Sequence, residues 1–138
     1  MSDAMPQLPA VSWVTNLKPD DRDLLSSYGE FIPAHPGTPL ISQGDTQDNL
    51  YVVVSGSLEV SRDGQAIATV TEGEALGEVC LFDPGTASAT VTPTIFSQLW
   101  RINREELLSF INDNPGAGNQ LLFALATTLA TRLRNVGE

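Results

Sequence analysis

The stretch Leu76 to Thr92, LGEVCLFDPGTASATVT, decides how the rest of this chain is read. It opens on Gly77-Glu78, passes a short apolar run and a Pro84-Gly85 turn, and ends in the β-prone Ala89-Thr90-Val91. Gly77 lets the backbone turn sharply and approach a ligand closely. Glu78 to Phe82 suit one helical turn, and the free N–H groups at the start of a turn make a seat for an anion. Glu78 has the wrong charge for that anion but can accept hydrogen bonds from sugar hydroxyls. Ser88 can donate to a phosphate or a carboxylate.

Outward from this stretch, the chain punctuates itself into short strands. Phe31-Ile32, Leu40-Ile41, Leu50 to Val54, Ala89 to Thr92 and Gln98 to Ile102 are strand candidates, separated by Pro36-Gly37, Gly44-Asp45 and Ser55-Gly56. Asp63-Gly64 marks a two-residue type I′ hairpin, whose simplest register sets Val60 opposite Ile67 and Leu58 opposite Thr69. This pattern predicts a mainly β domain, an antiparallel β-roll or jelly-roll barrel over about 30–102 with α-helices flanking it on both sides.

Pro19-Asp20-Asp21 opens the first helix, with Leu24, Leu25 and Tyr28 as its apolar face. Residues 1–17 before it read as a loose arm on which Trp13 and Val14 dock against the body. After the β section, Asn103 reads as an N-cap with Glu106 three residues on, Leu107, Leu108, Phe110 and Ile111 carry the apolar face, and Asn112 to Pro115 end the helix. A last helix spans about 118–136, with Leu122, Leu125, Leu129, Leu133 and Val136 at three- and four-residue steps. That stripe covers the barrel or forms a two-fold seam; a second set, Leu121, Ala124 and Thr128, leaves room for both. Residues 18–138 thus read as one module.

Composition excludes several functions. The 138 residues carry 7 Lys and Arg against 17 Asp and Glu, a net charge of −10. That balance argues against nucleic acid as a partner of this chain, since phosphate backbones need a basic face. No apolar run reaches the length of a membrane span and no signal pattern opens the chain, which predicts a cytoplasmic protein. One cysteine, Cys80, excludes an internal disulfide and reads as a small buried hydrophobe. One histidine, His35, excludes a His-rich metal site, and no Gly-x-Ser-x-Gly elbow, P-loop or Cys-His pair is present. The chain reads as non-catalytic.

Gly77-Glu78, Leu81 and Ser88-Ala89-Thr90-Val91 together resemble the phosphate-binding cassette of the cyclic nucleotide-binding domain, the sensor module of catabolite-activator-type regulators, cyclic-nucleotide-dependent kinases and gated channels. The spacing of Gly44-Asp45, Asp48, Tyr51, Gly56, Val60 and Gly73 is similar to that family's too. The resemblance covers about Leu24 to the C-terminus. It implies cAMP or cGMP as the ligand, held at Gly77, Glu78, Val79, Ala87, Ser88 and Ala89, with the last helix capping it from Thr127, Thr128, Thr131 or Arg132. It also implies a homodimer through that helix and an output partner protein.

One position departs from the family pattern. Where the cassette has an Arg for the cyclic phosphate, this chain has Ala87. A charge-assisted contact of that kind has no neutral equivalent, and its loss costs about 2–5 kcal/mol of affinity. Three expectations follow: a stand-alone sensor or adaptor whose pocket no longer takes cyclic nucleotides or takes some other small polar ligand, a true receptor with a substitute clamp, or an interaction module with a vestigial pocket. A substitute would come from Arg62, Arg101, Arg132 or Arg134.

Overall fold

The computed structural model describes the backbone of residues 7–137 and the side chains of residues 7–134. Its scaffold is a four-stranded antiparallel sheet, in the order β1 (Glu30–Ala34), β9 (Ser97–Asn103), β3 (Asn49–Ser55), β6 (Ala75–Leu76). A three-stranded sheet, β5 (Gln65–Thr71), β4 (Ser57–Arg62), β8 (Thr90–Pro93), closes over one of its faces. A short ladder of β2 (Thr46–Gln47) and β7 (Gly85–Thr86) joins their rims.

β3 explains why there are two cores. Alternate side chains of a strand point to opposite faces. Leu50 and Val52 belong to the core beneath the helices, Tyr51 and Val53 to the core between the sheets. Both faces are covered, so the strand is an unbroken apolar run rather than an alternating one. β9 divides in the same way, with Leu99 between the sheets and Trp100 and Ile102 under the helices.

The expected strands at 31–32, 50–54, 89–92 and 98–102 all fall within or against β1, β3, β8 and β9. Leu40-Ile41 does not make a full strand. It forms a single bridge, Ile41 to Val91, closed by Leu40 N–H to Val91 O at 2.8 Å and Val91 N–H to Ile41 O at 2.8 Å. The hairpin turn lies at Asp63-Gly64, with both φ values positive (54° and 82°) as a type I′ turn requires. Its register needs correction. A bulge between Val60 and Ser61 sets Val60 opposite Ala68 and Leu58 opposite Val70, leaving Ile67 as the extra residue, 50% exposed. The slip pairs buried Leu58 with a second apolar side chain instead of a threonine, which is what the inner core demands of the register.

The helices correct the sequence reading in several places. Residues 7–17 are not loose. Leu8, Trp13, Val14 and Leu17 are all buried in the helix-side core, and the Trp13 ring lies 6.2 Å from that of Trp100. Residues 1–6 of the expected arm lie outside the described residues. The last helix begins earlier than its leucine pattern suggests. α1 (Pro19–Tyr28) and α3 (Arg104–Asp113) lie where expected, and Asn103 Oδ1 accepts from Glu106 N–H at 2.7 Å as the α3 cap. Leu25, Leu107 and Phe110 are buried, but Leu24 and Leu108 of the expected apolar faces are turned outward and exposed. α4 runs Pro115–Gly137, however, because Pro115 occupies the first position of a new helix, where its missing N–H costs nothing. The stripe also divides along its length. Leu121 and Leu125 are fully buried, Leu122 and Leu129 half-buried, and Leu133 is 73% exposed. The side chain of Val136 lies outside the described residues.

Candidate functional site

A cavity of about 540 Å³ opens where the cassette, the hairpin and α4 meet. The cassette supplies one wall. Gly77 has φ +81°, a left-handed conformation that lets its backbone lie against the Asn49 carbonyl and the Gln47 side chain. One helical turn, α2 (Val79–Phe82), follows, with Cys80 N–H donating to Gly77 O at 3.1 Å and Leu81 N–H to Glu78 O at 3.2 Å. Arg104 Nε on α3 holds this turn from behind by donating to Leu81 O at 3.1 Å. The chain returns through Gly85-Thr86 and is fastened at Ala87, whose N–H donates to Asp45 O at 2.8 Å and whose carbonyl accepts from Gly44 N–H at 2.8 Å. Ile41, Val60, Val70 and Val91 form the apolar floor.

Gly77, Val79, Ala87, Ser88 and Ala89 all line the cavity, as does Arg132 of α4. Glu78 does not. Its side chain is completely buried behind the wall, Oε1 accepts from Arg132 Nη1 at 3.0 Å, and Oε2 has no hydrogen-bond partner among the described residues. Arg132 also donates to Ala75 O at 3.4 Å, so α4 is tied to the cassette at two points. The threonines of α4 are placed differently. Thr127 and Thr128 donate to the Phe123 and Ala124 carbonyls of their own helix at 2.9 and 3.0 Å, Thr131 is exposed, and none of the three lines the cavity.

Among the four arginines considered for a substitute clamp, two reach the site. Arg62 and Arg132 line the cavity. Arg101 is ion-paired with Glu30 on the four-stranded sheet, and Arg134 is exposed on α4. Asp83 is the acidic residue of the lining. Cys80 borders the cavity but is 6% exposed, and burial, reinforced by Asp48, pushes its thiol up to about 11. A thiol so far from ionising is a packing group rather than a nucleophile. His35 packs its ring 5.4 Å from that of Phe96 and takes no part in the lining.

A β-roll with a helical cassette on its rim, a cavity between that cassette and the strands, and a long C-terminal helix reaching the cavity through Arg132 is the frame of a regulatory sensor class. The chain belongs to the cyclic nucleotide-binding domain family, whose model matches residues 32–114. It is 34% identical over 123 residues to the cyclic AMP receptor protein of Thermus thermophilus, covering 86% of this chain and 55% of that protein. Among solved structures it is similar to the Thermus thermophilus catabolite activator protein, with a TM-score of 0.81 and 30% identity over 91% of this chain and 60% of that one. It is also similar to the N-terminal domain of a transcriptional regulator from Streptomyces coelicolor A3(2), with a TM-score of 0.80, 27% identity and 91% coverage of both chains. The chain spans between 36% and 55% of the length of the curated relatives that it matches most strongly. Among the described residues no helix is long and apolar enough to cross a membrane.

Proposed function

We propose that this chain is a non-catalytic regulatory sensor module that takes a small polar ligand in the cassette cavity and passes the occupied state through α4 to an output partner. The observation that carries this reading is the cavity itself. It stays open at about 540 Å³, within the range of small-molecule sites, although Ala87 has no charge to offer. The relatives named for cyclic AMP make cAMP and cGMP the first ligands to test. A second reading is favoured by one contact: Arg132 already occupies Glu78, the carboxylate expected to receive sugar hydroxyls, so the sugar-binding group is committed within the protein and the fold serves as an interaction scaffold.

Calorimetric titration with cAMP and cGMP, of the unmodified protein beside Ala87→Arg, separates the two. Micromolar binding by the unmodified protein supports a receptor, and Ala87→Arg should then gain at least about tenfold in affinity from the added charge-assisted contact. Binding by the variant alone means a working pocket whose own ligand is not a cyclic nucleotide. Silence from both supports the scaffold.

The module acts in the cytoplasm, as a homodimer, in this reading. Phe123 and Leu133 on α4 are 77% and 73% exposed, large apolar side chains that the same helix of a second copy would cover. A solution mass of one chain at all micromolar concentrations would remove the dimer.

A further inference from the structure

We propose that Arg62 is the anion-binding residue of this cavity, reaching from β4 the place that the cassette leaves uncharged at Ala87. The inference rests on reading the cavity as a ligand site and names the ligand class. Topology brings Arg62 there. In the β4–β8 ladder Ser61 pairs with Thr90, so the next residue of β4, Arg62, comes level with Ala89 at the end of the cassette. Arg62 Nε donates to Ser88 O at 3.1 Å, which anchors the guanidinium on the residue that follows Ala87, in a cavity that all three line.

The hairpin tip that carries Arg62 is itself held. Asp63 N–H donates to Gln43 Oε1 and Gln43 Nε2 donates to Asp63 Oδ1, both at 2.9 Å. Gln43 N–H donates in turn to Thr90 Oγ1 at 3.0 Å. This double clamp docks the turn on the strand that follows the cassette. A charged side chain whose backbone is fixed on both sides needs little ordering when a ligand arrives.

The free hydrogen-bonding capacity points the same way. With Nε on a carbonyl, both Nη groups of Arg62 are without a partner among the described residues, and so is the Ser88 hydroxyl. A guanidinium edge of two N–H donors beside a hydroxyl matches the oxygens of a phosphodiester or a carboxylate. Arg132, the other cation of the lining, is already taken by Glu78. Among the described residues the site therefore has one uncommitted positive charge, with Asp83 at the lining and a protein of net charge −10 around it. This balance suits a singly charged ligand and repels multiply charged ones. The apolar floor of Ile41, Val60, Val70 and Val91 suits a flat apolar body joined to that anion.

The test is titration of the unmodified protein, Arg62→Gln, Ala87→Arg and the Arg62→Gln/Ala87→Arg double variant with cAMP, and with adenosine as the same body lacking the anion. Arg62 is exposed, so its replacement leaves the fold intact and equal melting curves check this. The expected result is that Arg62→Gln weakens cAMP by about tenfold to a hundredfold, leaves adenosine unchanged, and is rescued by adding Ala87→Arg. Equal cAMP affinity in the unmodified protein and Arg62→Gln overturns the inference and leaves the sensor reading standing. So does equal weakening of both ligands, or cAMP binding only where Ala87→Arg is present. Silence from every protein removes the ligand site and this inference with it.

Discussion

Gly77→Ala is expected to lower the melting temperature by about 6–25 °C. Two costs add. The residue sits at φ +81°, where an L side chain loses about 1–2 kcal/mol to clash with its own backbone. The new Cβ would also fall on the carbonyl oxygen of Asn49 and within 2.8 Å of Gln47 Nε2. The oxygen belongs to the backbone of β3, which is paired with β9 on one side and β6 on the other, so it has nowhere to go. Forcing such an overlap into a packed region costs about 1–3 kcal/mol more. Together these are about 2–5 kcal/mol, a large part of the 5–15 kcal/mol typical of a domain, and at about 3–5 °C per kcal/mol for this size they give the stated shift. Gly44→Ala is the control. It has the same left-handed backbone, φ +90°, but nothing within 4 Å of the added atom, so it should lose only the first cost. Equal melting shifts for the two variants would refute the close-approach argument.

The same contact shows what was legible in the sequence and what was not. Gly77-Glu78 could be read as a turn because glycine is the residue that serves a left-handed position. That the turn is pressed against β3 could not, since nothing in the local text names a neighbour 28 residues earlier. β3 itself was legible from five apolar residues in a row, and the α3 cap from Asn103 and Glu106. The two-residue strands β2, β6 and β7 were not, because they are too short for any periodicity to develop and exist only through their partners. The hairpin turn was readable from Asp63-Gly64, but its bulge was not, because the choice between Ile67 and Val70 as the inward residue is made by the opposite wall of the barrel. Trp13 was marked as docking; that its partner is Trp100 was not legible, since the two rings meet across 87 residues of sequence.

The site divides along the same line. Ala87 was visible as an uncharged position in the sequence. Arg62 was visible only as one arginine among four, because its place depends on β4 pairing with β8 across the intervening residues 63–89. A hairpin fixes one edge of a strand from local sequence, and leaves the other edge to topology. Residues meeting across that second edge carry no signal in spacing, and Arg62 beside Ser88 is such a pair.

Arg132→Ala should cost about 1–3 kcal/mol, whereas Glu78→Gln should cost far less, although both remove the same ion pair. The asymmetry comes from burial. The Glu78 side chain is 0% exposed and that of Arg132 is 51% exposed. Removing the arginine strands a carboxylate inside the protein with Oε2 already lacking a partner, and stripping one partner from a fully buried pair costs about 3–5 kcal/mol. Half-exposure of Arg132 lets water follow where the guanidinium leaves, which sets the lower figure. Removing the charge from Glu78 instead returns a half-exposed guanidinium to solvent, at little cost. The double variant Arg132→Ala/Glu78→Gln should therefore be more stable than Arg132→Ala alone. Denaturant unfolding of the three measures this, and equal losses in the two single variants would overturn the argument. Beyond Leu125 no residue of α4 is fully buried through Arg134, so this pair and the Ala75 carbonyl are the polar ties that hold the end of the helix to the cassette. Amide exchange in the last two described turns of α4 should accelerate in Arg132→Ala while the turns around Leu121 keep their protection. Arg132 is the member of this pair that lines the cavity, so a ligand that drew the guanidinium away from Glu78 would loosen the same tie and free the end of α4.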